Sequence, residues 1–171
     1  HLPLREVPDA LTTEHLEAQL RLLHRSLQRG WGIPEPRIAL CALNPHASDG
    51  GLFGDEEARI LEPLASRLRE EGVRVEGPFP ADTVFLRTLS GDADAVAAPY
   101  HDVGMAVFKT LAFGAGVNVT LGLPFVRTSP DHGTAFDLAG QGRADPASAL
   151  EALRLAARLA RNLRPGTSSR L

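Results

Sequence analysis

Apolar residues recur at helical spacing in three segments of the chain, at residues 13–29, 55–71 and 146–163. In the first segment the leucines follow one another at steps of four and three residues, which places them on one helix face. Gly72 follows the second segment directly and is expected to end that helix. In the last segment, the spacing predicts that Leu150, Leu153 and Ala157 face inward.

Short apolar runs between these helices predict buried β-strands. Residues 37–43, 95–99 and 117–121 each form such a run, and residues 73–76 are long enough only for a short strand. Strands that alternate with helices indicate a layered α/β domain with crossover connections. Residues 164–171 contain Pro, Gly and Ser and are expected to form a frayed tail.

Composition and charge narrow the class of protein. A length of 171 residues with 43% hydrophobic and 23% charged residues is typical of one globular domain. The net charge of -3 gives no overall basic field, which argues against nucleic acid as a partner. Cys41 is the single cysteine, expected to be buried and inert, and no apolar stretch approaches a membrane helix. We therefore expect a cytoplasmic protein that acts on a small molecule, without a membrane partner.

The loop after the first predicted strand, residues 44–54, carries three glycines within five residues. Glycines let the backbone approach a ligand closely, so this loop could cradle a phosphate. Asp55, Glu56 and Glu57 argue against that, because they already complement the positive end of the following helix. His46 then becomes the residue of greatest chemical interest, with a structural role as the alternative.

A second loop, residues 100–104, contains His101 and Asp102. The imidazole could bind a metal, or act as a general acid or base that the carboxylate orients. Lys109 is the single lysine among 18 basic residues, which indicates either a source that disfavours lysine or a site where arginine cannot replace it. The wide spacing of His1, His46 and His101 matches no short metal motif, so spacing alone does not establish a metal site.

The third loop, residues 122–135, is long for a segment without regular structure, which favours a functional role. Its two prolines stiffen it, and Arg127 can bind a phosphate or carboxylate through paired hydrogen bonds. We expect the loop to form a binding wall. The chain contains no nucleophile elbow, P-loop or dinucleotide-binding glycine fingerprint after a strand, so these three loops hold the candidate chemistry.

Five ordered blocks within the chain form a distinctive set, at residues 43–54, 77–83, 100–102, 118–129 and 131–135. Together they resemble the 4-hydroxythreonine-4-phosphate dehydrogenase family of pyridoxal phosphate biosynthesis. The resemblance implies that residues 1–163 are the carboxyl-terminal half of a two-domain dehydrogenase subunit. It also implies a layered α/β/α fold of the isocitrate/isopropylmalate dehydrogenase type, of which this chain is a part.

The resemblance implies an NAD(P)-dependent oxidation of 4-phosphooxy-L-threonine, which is 4-hydroxythreonine-4-phosphate, with subsequent decarboxylation to 3-amino-2-oxopropyl phosphate. The implied assembly is a homodimer whose active site lies between subunits. A divalent metal ion (Zn, Mg or Co) would be bound by His1, His46 and His101. Three neutral imidazoles would leave coordination positions open for the substrate, so that the metal could act as a Lewis acid.

The resemblance also assigns substrate and cofactor residues. Lys109 would be catalytic, and it would bind the phosphorylated substrate together with Asn118 and Arg127. A further block resembles the adenosine-binding loop of isocitrate and isopropylmalate dehydrogenases. The implied NAD or NADP contacts are His132, Gly133, Thr134, Ala135 and Asp137.

Departures from the family pattern leave alternatives open. Val103 stands where the family has a glutamine, and Ser48 and Asp49 replace Gly-Glu. The lost amide leaves another phosphorylated hydroxy acid or a cis-dihydrodiol as possible substrates. A fragment that binds metal and dimerises without catalysis is a further alternative. Because the family's remaining contacts come from its other half, we expect the 171-residue chain to be inactive alone.

Overall fold

The computed structural model describes residues 1–112 and 114–163, so the frayed tail predicted at residues 164–171 lies outside the described residues. A parallel sheet of three strands lies at the centre, in the order β2-β1-β3. Its strands are β1 (Ile38–Cys41), β2 (Val75–Phe79) and β3 (Ala95–Ala97). All four residues of β1 are buried, because the strand has a neighbour on each side and packed side chains on each face.

Helices accompany the strands on both sides. They are α1 (Val7–Ala10), α2 (Thr13–Ser26), α3 (Glu62–Glu70), α4 (Val84–Leu89), α5 (His101–Ala112) and α6 (Ala147–Asn162). Wider π-helical turns extend two of them, at Leu27–Trp31 after α2 and at Glu57–Leu61 before α3. The helices predicted at residues 13–29 and 55–71 are thus confirmed. None of the described helices is long and apolar enough to span a membrane.

The core lies on both faces of the sheet because side chains alternate along β1. Ile38 and Leu40 join a large cluster with leucines of α2 and α3. Ala39 and Cys41 join a smaller cluster with Val84 of α4. This layering confirms the predicted α/β class. Burial raises the pKa of the Cys41 thiol to about 11, as expected for an inert cysteine.

The fourth predicted strand does not join the parallel sheet. Instead β4 (Val117–Thr120) pairs antiparallel with β5 (Arg127–Pro130) in a separate two-stranded ribbon. The prediction that residues 122–135 lack regular structure is therefore wrong, since β5 lies within them. The sequence of β5 has no alternation of apolar and polar residues, so its pairing with β4 makes it a strand.

Helix α6 packs through a different face from the predicted one. The three residues predicted to face inward are exposed: Leu150, Leu153 and Ala157. The buried positions are Ser148, Ala152 and Leu159. Ser148 Oγ donates a hydrogen bond to a backbone oxygen just before β4 at 3.1 Å, and Thr128 Oγ1 donates to the backbone oxygen of Ala152 at 2.8 Å. Small side chains and hydrogen bonds let α6 lie close to the ribbon, which leucine spacing could not predict.

Candidate active site

Strands β1 and β3 deliver two predicted site histidines to one edge of the sheet. A short turn at Pro45–Asp49 follows β1 and contains His46, and α5 follows β3 and begins at His101. Because β1 and β3 are parallel neighbours, both segments leave the sheet at that edge. His101 therefore lies in the first turn of a helix. The prediction of a loop over residues 100–104 is wrong, since the helix accommodates Gly104.

The backbone around His46 adopts a rare conformation. Four consecutive residues other than glycine have positive φ, namely His46 (53°), Ala47 (53°), Ser48 (71°) and Asp49 (45°). This left-handed region costs L-residues about 1–2 kcal/mol each, so a run of four needs support from surrounding contacts. Backbone strain of this kind clusters at functional sites.

Glu57, the first residue of the π-helical turn before α3, contacts this segment and supplies that support. Its side chain is buried, and Oε1 accepts hydrogen bonds from the backbone nitrogens of Leu43 and Asn44, each at 2.8 Å. Oε2 accepts from Asn44 Nδ2 at 2.8 Å and from the Ser48 hydroxyl. Burial acts to raise the pKa of Glu57, but the hydrogen bonds from Asn44 and Ser48 outweigh it and lower the pKa below its usual value. The sequence indicated only a helix-dipole role, so this function of Glu57 was missed.

The fold brings His1 and His101 together. Their ring centroids lie 4.3 Å apart, with an angle of 44° between the planes. His101 Nδ1 is 2.7 Å from Asp102 Oδ1, and the Tyr100 hydroxyl donates to Asp102 Oδ2 at 3.2 Å. The hydrogen bond from His101, followed by that from Tyr100, lowers the pKa of Asp102. With Nδ1 engaged by the carboxylate, Nε2 is the nitrogen available for a ligand.

The third predicted metal ligand does not join this pair within the chain. Among the described residues, no three His, Cys, Asp or Glu side chains lie close enough together to hold a metal ion. The set of His1, His46 and His101 stays a prediction, in which a second subunit completes the site. The donor types fit a divalent metal, because paired imidazoles, one of them oriented by a carboxylate, are typical of zinc and related sites.

Lys109 of α5 is held by the residue that follows β5. Its Nζ donates to the backbone oxygen and to Oδ1 of Asp131, each at 2.7 Å. The Asp131 side chain is 10% exposed, and its Oδ2 is buried without a hydrogen-bond partner in the described structure. Gly116 makes room for that oxygen, since an added Cβ would lie 2.4 Å from Oδ2. The ammonium has three N–H donors, so one remains for a substrate.

Asn118 and Arg127 lie on one face of the β4–β5 ribbon. Asn118 and Thr120 are alternate residues of β4, and Arg127 pairs with Thr120 across the ribbon. Arg127 Nη1 also donates to Thr120 Oγ1 at 2.7 Å. Two of the three predicted substrate residues thus share one face of the ribbon, and the third, Lys109, binds the residue that directly follows β5.

A cleft of about 590 Å³ lies between α2, the ribbon and α6. Arg25, Arg29 and Arg127 border it, and Leu123 and Phe125 line it with exposed apolar side chains. Of the predicted substrate residues, Arg127 alone borders the cleft, so the cleft lies beside the predicted substrate face.

The predicted cofactor segment lies on the surface after β5. All five of its assigned residues are exposed: His132, Gly133, Thr134, Ala135 and Asp137. The ring of Phe136 within the segment is 81% exposed, and Ala135 has a positive φ of 46°. The segment is accessible to a ligand, and its assignment to NAD or NADP stays a prediction.

Val103 packs toward the core. It is partly buried against the cluster that contains Ala39, Cys41 and Val84. Positions 101 and 103 of a helix point about 200° apart, so Val103 faces away from the His101 ring. A specificity role for Val103 therefore has little support from its packing.

Comparison with known proteins identifies the family. The family model described as Pyridoxal phosphate biosynthetic protein PdxA matches residues 1–156. This chain belongs to the PdxA family. A 4-hydroxythreonine-4-phosphate dehydrogenase from Chromobacterium violaceum is 58% identical over 160 residues, which are 94% of this chain and 49% of that relative. The chain spans about half the length of the curated relatives it matches.

Solved structures of two dehydrogenases share the fold of this chain. The 4-hydroxythreonine-4-phosphate dehydrogenase from Klebsiella pneumoniae superposes with a TM-score of 0.81 at 45% identity, over 96% of this chain and 49% of that one. A terephthalate 1,2-cis-dihydrodioldehydrogenase from Burkholderia xenovorans superposes with a TM-score of 0.74 at 36% identity, over 92% and 50% of the two chains. The resemblance to the dehydrogenase family is thus confirmed.

Proposed function

We propose that the protein containing this PdxA-family chain oxidises 4-hydroxythreonine-4-phosphate with NAD or NADP and decarboxylates the product to 3-amino-2-oxopropyl phosphate. The observation that carries the proposal is that Asn118 and Arg127 share one face of the β4–β5 ribbon, while Lys109 binds Asp131 directly after β5. Relatives 58% and 53% identical to this chain bear the name of this dehydrogenase. The protein would act in the cytoplasm on the route to pyridoxine 5'-phosphate.

The proposed substrate residues match the substrate's charges. A phosphorylated amino acid alcohol carries a phosphate and a carboxylate, which call for cationic partners. Arg127 offers a planar fork suited to either anion, and Lys109 offers a compact ammonium with one N–H to spare. Asn118 is exposed on the same face and would add a directional hydrogen bond.

The histidines would form the metal site. A divalent metal ion (Zn, Mg or Co) held by His1, His46 and His101 would supply Lewis-acid chemistry at the substrate hydroxyl. Asp102 fixes the His101 ring through Nδ1 and leaves Nε2 available. Because no set of three ligands assembles within the described part of one chain, we propose that two copies complete the site as a homodimer.

Lys109 would move protons during the reaction. NAD or NADP, when bound, would supply the oxidant that takes a hydride from the carbon bearing the hydroxyl, and the hydroxyl oxygen would lose its proton to solvent. The resulting 3-oxo acid then loses carbon dioxide, and the carbon left behind takes up a proton. Lys109 Nζ, held in place by Asp131, is the group we assign to donate that proton to the carbon, and the resulting amine would regain a proton from solvent. The exposed segment from His132 to Asp137 would hold the adenosine end of the cofactor.

A cis-dihydrodiol is the second candidate substrate, because the Burkholderia xenovorans structure is 36% identical to this chain. In the sequence, this candidate rested on Val103, which stands where the family has a glutamine. The Val103 side chain, however, packs against the core. The identity of 58% to a 4-hydroxythreonine-4-phosphate dehydrogenase favours the phosphorylated substrate.

Reduced cofactor formation by the full-length protein tests this function. We expect turnover of 4-hydroxythreonine-4-phosphate with NAD or NADP, and none of a terephthalate cis-dihydrodiol under the same conditions. Turnover of the diol alone would establish the second candidate. Metal binding and dimerisation by the 171-residue chain alone, with no turnover of either substrate, would instead indicate the non-catalytic fragment.

A further inference from the structure

The strained turn that carries His46 is bracketed by contacts to one side chain. Leu43 and Asn44 precede His46, Ser48 follows it, and all three donate hydrogen bonds to the Glu57 carboxylate. The left-handed run therefore begins two residues after Asn44 and includes Ser48, and Glu57 binds both of these residues. His46 itself is exposed and makes no contact with Glu57 among the described hydrogen bonds.

Glu57 is the one charged side chain in the buried set of the described residues. Burying a carboxylate is unfavourable unless hydrogen bonds satisfy its oxygens. Here each oxygen accepts two, and all four donors belong to the segment around His46. A favourable interaction with the positive end of the helix does not require burial, since an exposed carboxylate such as that of Asp55 can provide it. The burial of Glu57 therefore indicates a different role.

We propose that Glu57 is the positioning residue for His46. It holds both ends of residues 43–48, and so stabilises the left-handed backbone of His46, Ala47 and Ser48 that presents the imidazole at the carboxyl edge of the sheet. The link to metal binding rests on the proposed function, in which His46 is a ligand. Groups that orient a ligand from behind influence metal affinity although they do not touch the metal.

Replacement of the carboxylate by an amide is the sharpest perturbation. Glu57→Gln keeps the shape of the side chain. In the wild type, Glu57 Oε2 accepts a hydrogen bond from Asn44 Nδ2, and an amide nitrogen in place of that oxygen cannot accept it. One end of the turn then loses its anchor. Ser48→Ala removes a single donor to the same carboxylate and serves as the milder variant if Glu57→Gln does not fold. Glu62→Gln, at an exposed position in α3, is the matched control.

The test uses the full-length protein and two measurements. The first is amide hydrogen exchange of residues 43–53 in metal-free protein, compared with exchange in α6. The second is the affinity for Co²⁺ or Zn²⁺. We expect Glu57→Gln to speed exchange in the segment at least about tenfold while α6 changes little, and to weaken metal binding about 10–100-fold. Ser48→Ala should shift both in the same direction by less, and Glu62→Gln should match the wild type.

The two proposals fail in different ways. Equal acceleration of exchange across the whole sheet, or no acceleration at residues 43–53, would overturn the positioning role. Unchanged metal affinity in a Glu57→Gln protein whose turn is loosened would overturn its link to metal binding. If His46→Ala leaves wild-type metal affinity intact, the proposed metal site is wrong, and the exchange measurement alone decides whether Glu57 holds the turn.

Discussion

Lys109 binds Asp131 twice, because its ammonium donates to both the backbone oxygen and the carboxylate of that residue at 2.7 Å. The pair joins α5 to the end of the β4–β5 ribbon. One small ammonium reaches two oxygens here and keeps a third donor. The wider, planar guanidinium of arginine would not reproduce this geometry. The single lysine among 18 basic residues thus has a structural reason to differ from the others.

Lys109→Arg in the full-length protein is expected to lower kcat/KM for 4-hydroxythreonine-4-phosphate about 100-fold or more, because the proton-donating ammonium is lost. Steady-state formation of reduced cofactor measures the effect. Arg158→Lys, on an exposed position of α6, is the matched control and should leave the rate unchanged. Full activity of Lys109→Arg would mean that the lysine count reflects the source alone.

His46→Ala and His101→Ala are each expected to reduce the bound metal of the full-length protein to well below half of the wild-type content. The physical reason is that removal of one of three imidazole ligands weakens a site built from them. Elemental analysis of dialysed protein provides the measurement. His15→Ala, an exposed histidine on α2, should retain the wild-type content. Wild-type metal content in both ligand variants would exclude the predicted site.

The isolated 171-residue chain is expected to form no reduced cofactor with 4-hydroxythreonine-4-phosphate, whereas the full-length protein should do so. The chain spans about half of its relatives' length, and large apolar side chains such as Leu86 and Phe125 are more than half exposed. Such surfaces are typical of interfaces that another part of a protein covers. Catalysis by the isolated chain at the full-length rate would contradict this prediction.

Asp94 should make stability depend on pH. Its carboxylate accepts hydrogen bonds from the Arg37 guanidinium at 3.0 Å and from the Arg37 backbone nitrogen at 2.8 Å, and these contacts lower its pKa. Stability from such a group is fully present above the unfolded pKa and is lost as pH falls through the folded pKa. Asp94→Asn is expected to destabilise the protein by about 1 kcal/mol at pH 7, after allowance for partial exposure.

The difference in unfolding temperature between Asp94→Asn and the wild type should shrink as the pH falls below about 4. Thermal unfolding of the full-length protein between neutral and acidic pH measures it. Asp82→Asn, at an exposed position without an ion pair among the described contacts, is the control and should follow the wild type. A difference that stays constant over the whole pH range would show that the Arg37 contact contributes nothing through ionisation.

Local periodicity was sufficient to predict β1, α2 and the helix before Gly72, because each element buries residues at its own regular spacing. The same argument failed for β5 and for the face of α6. The residues of β5 become a strand only by pairing with β4, and α6 contacts the ribbon through Ser148 and through the hydrogen bond from Thr128. Both depend on partners distant in sequence.

The candidate site shows the same difference between features that the sequence predicted and features that depend on distant contacts. The resemblance named the histidines, but the contact between His1 and His101 exists only once the sheet has formed. The left-handed backbone at His46 follows from a tertiary contact, so no local pattern could predict it. Glu57 did leave a signal, since it lies three and four residues before the buried Ile60 and Leu61 and therefore on the inward face of their helix.

The register between β4 and β5 determines which of their side chains lie on the proposed substrate-binding face of the ribbon. A slip of one residue between β4 and β5 would turn Arg127 to the face opposite Asn118 and separate the two side chains by the thickness of the sheet. The bond from Thr128 to the Ala152 backbone oxygen fixes β5 against α6 and so opposes such a slip. Changes within α6, whose described hydrogen bonds involve none of the assigned substrate residues, would thus alter which anions the protein can hold.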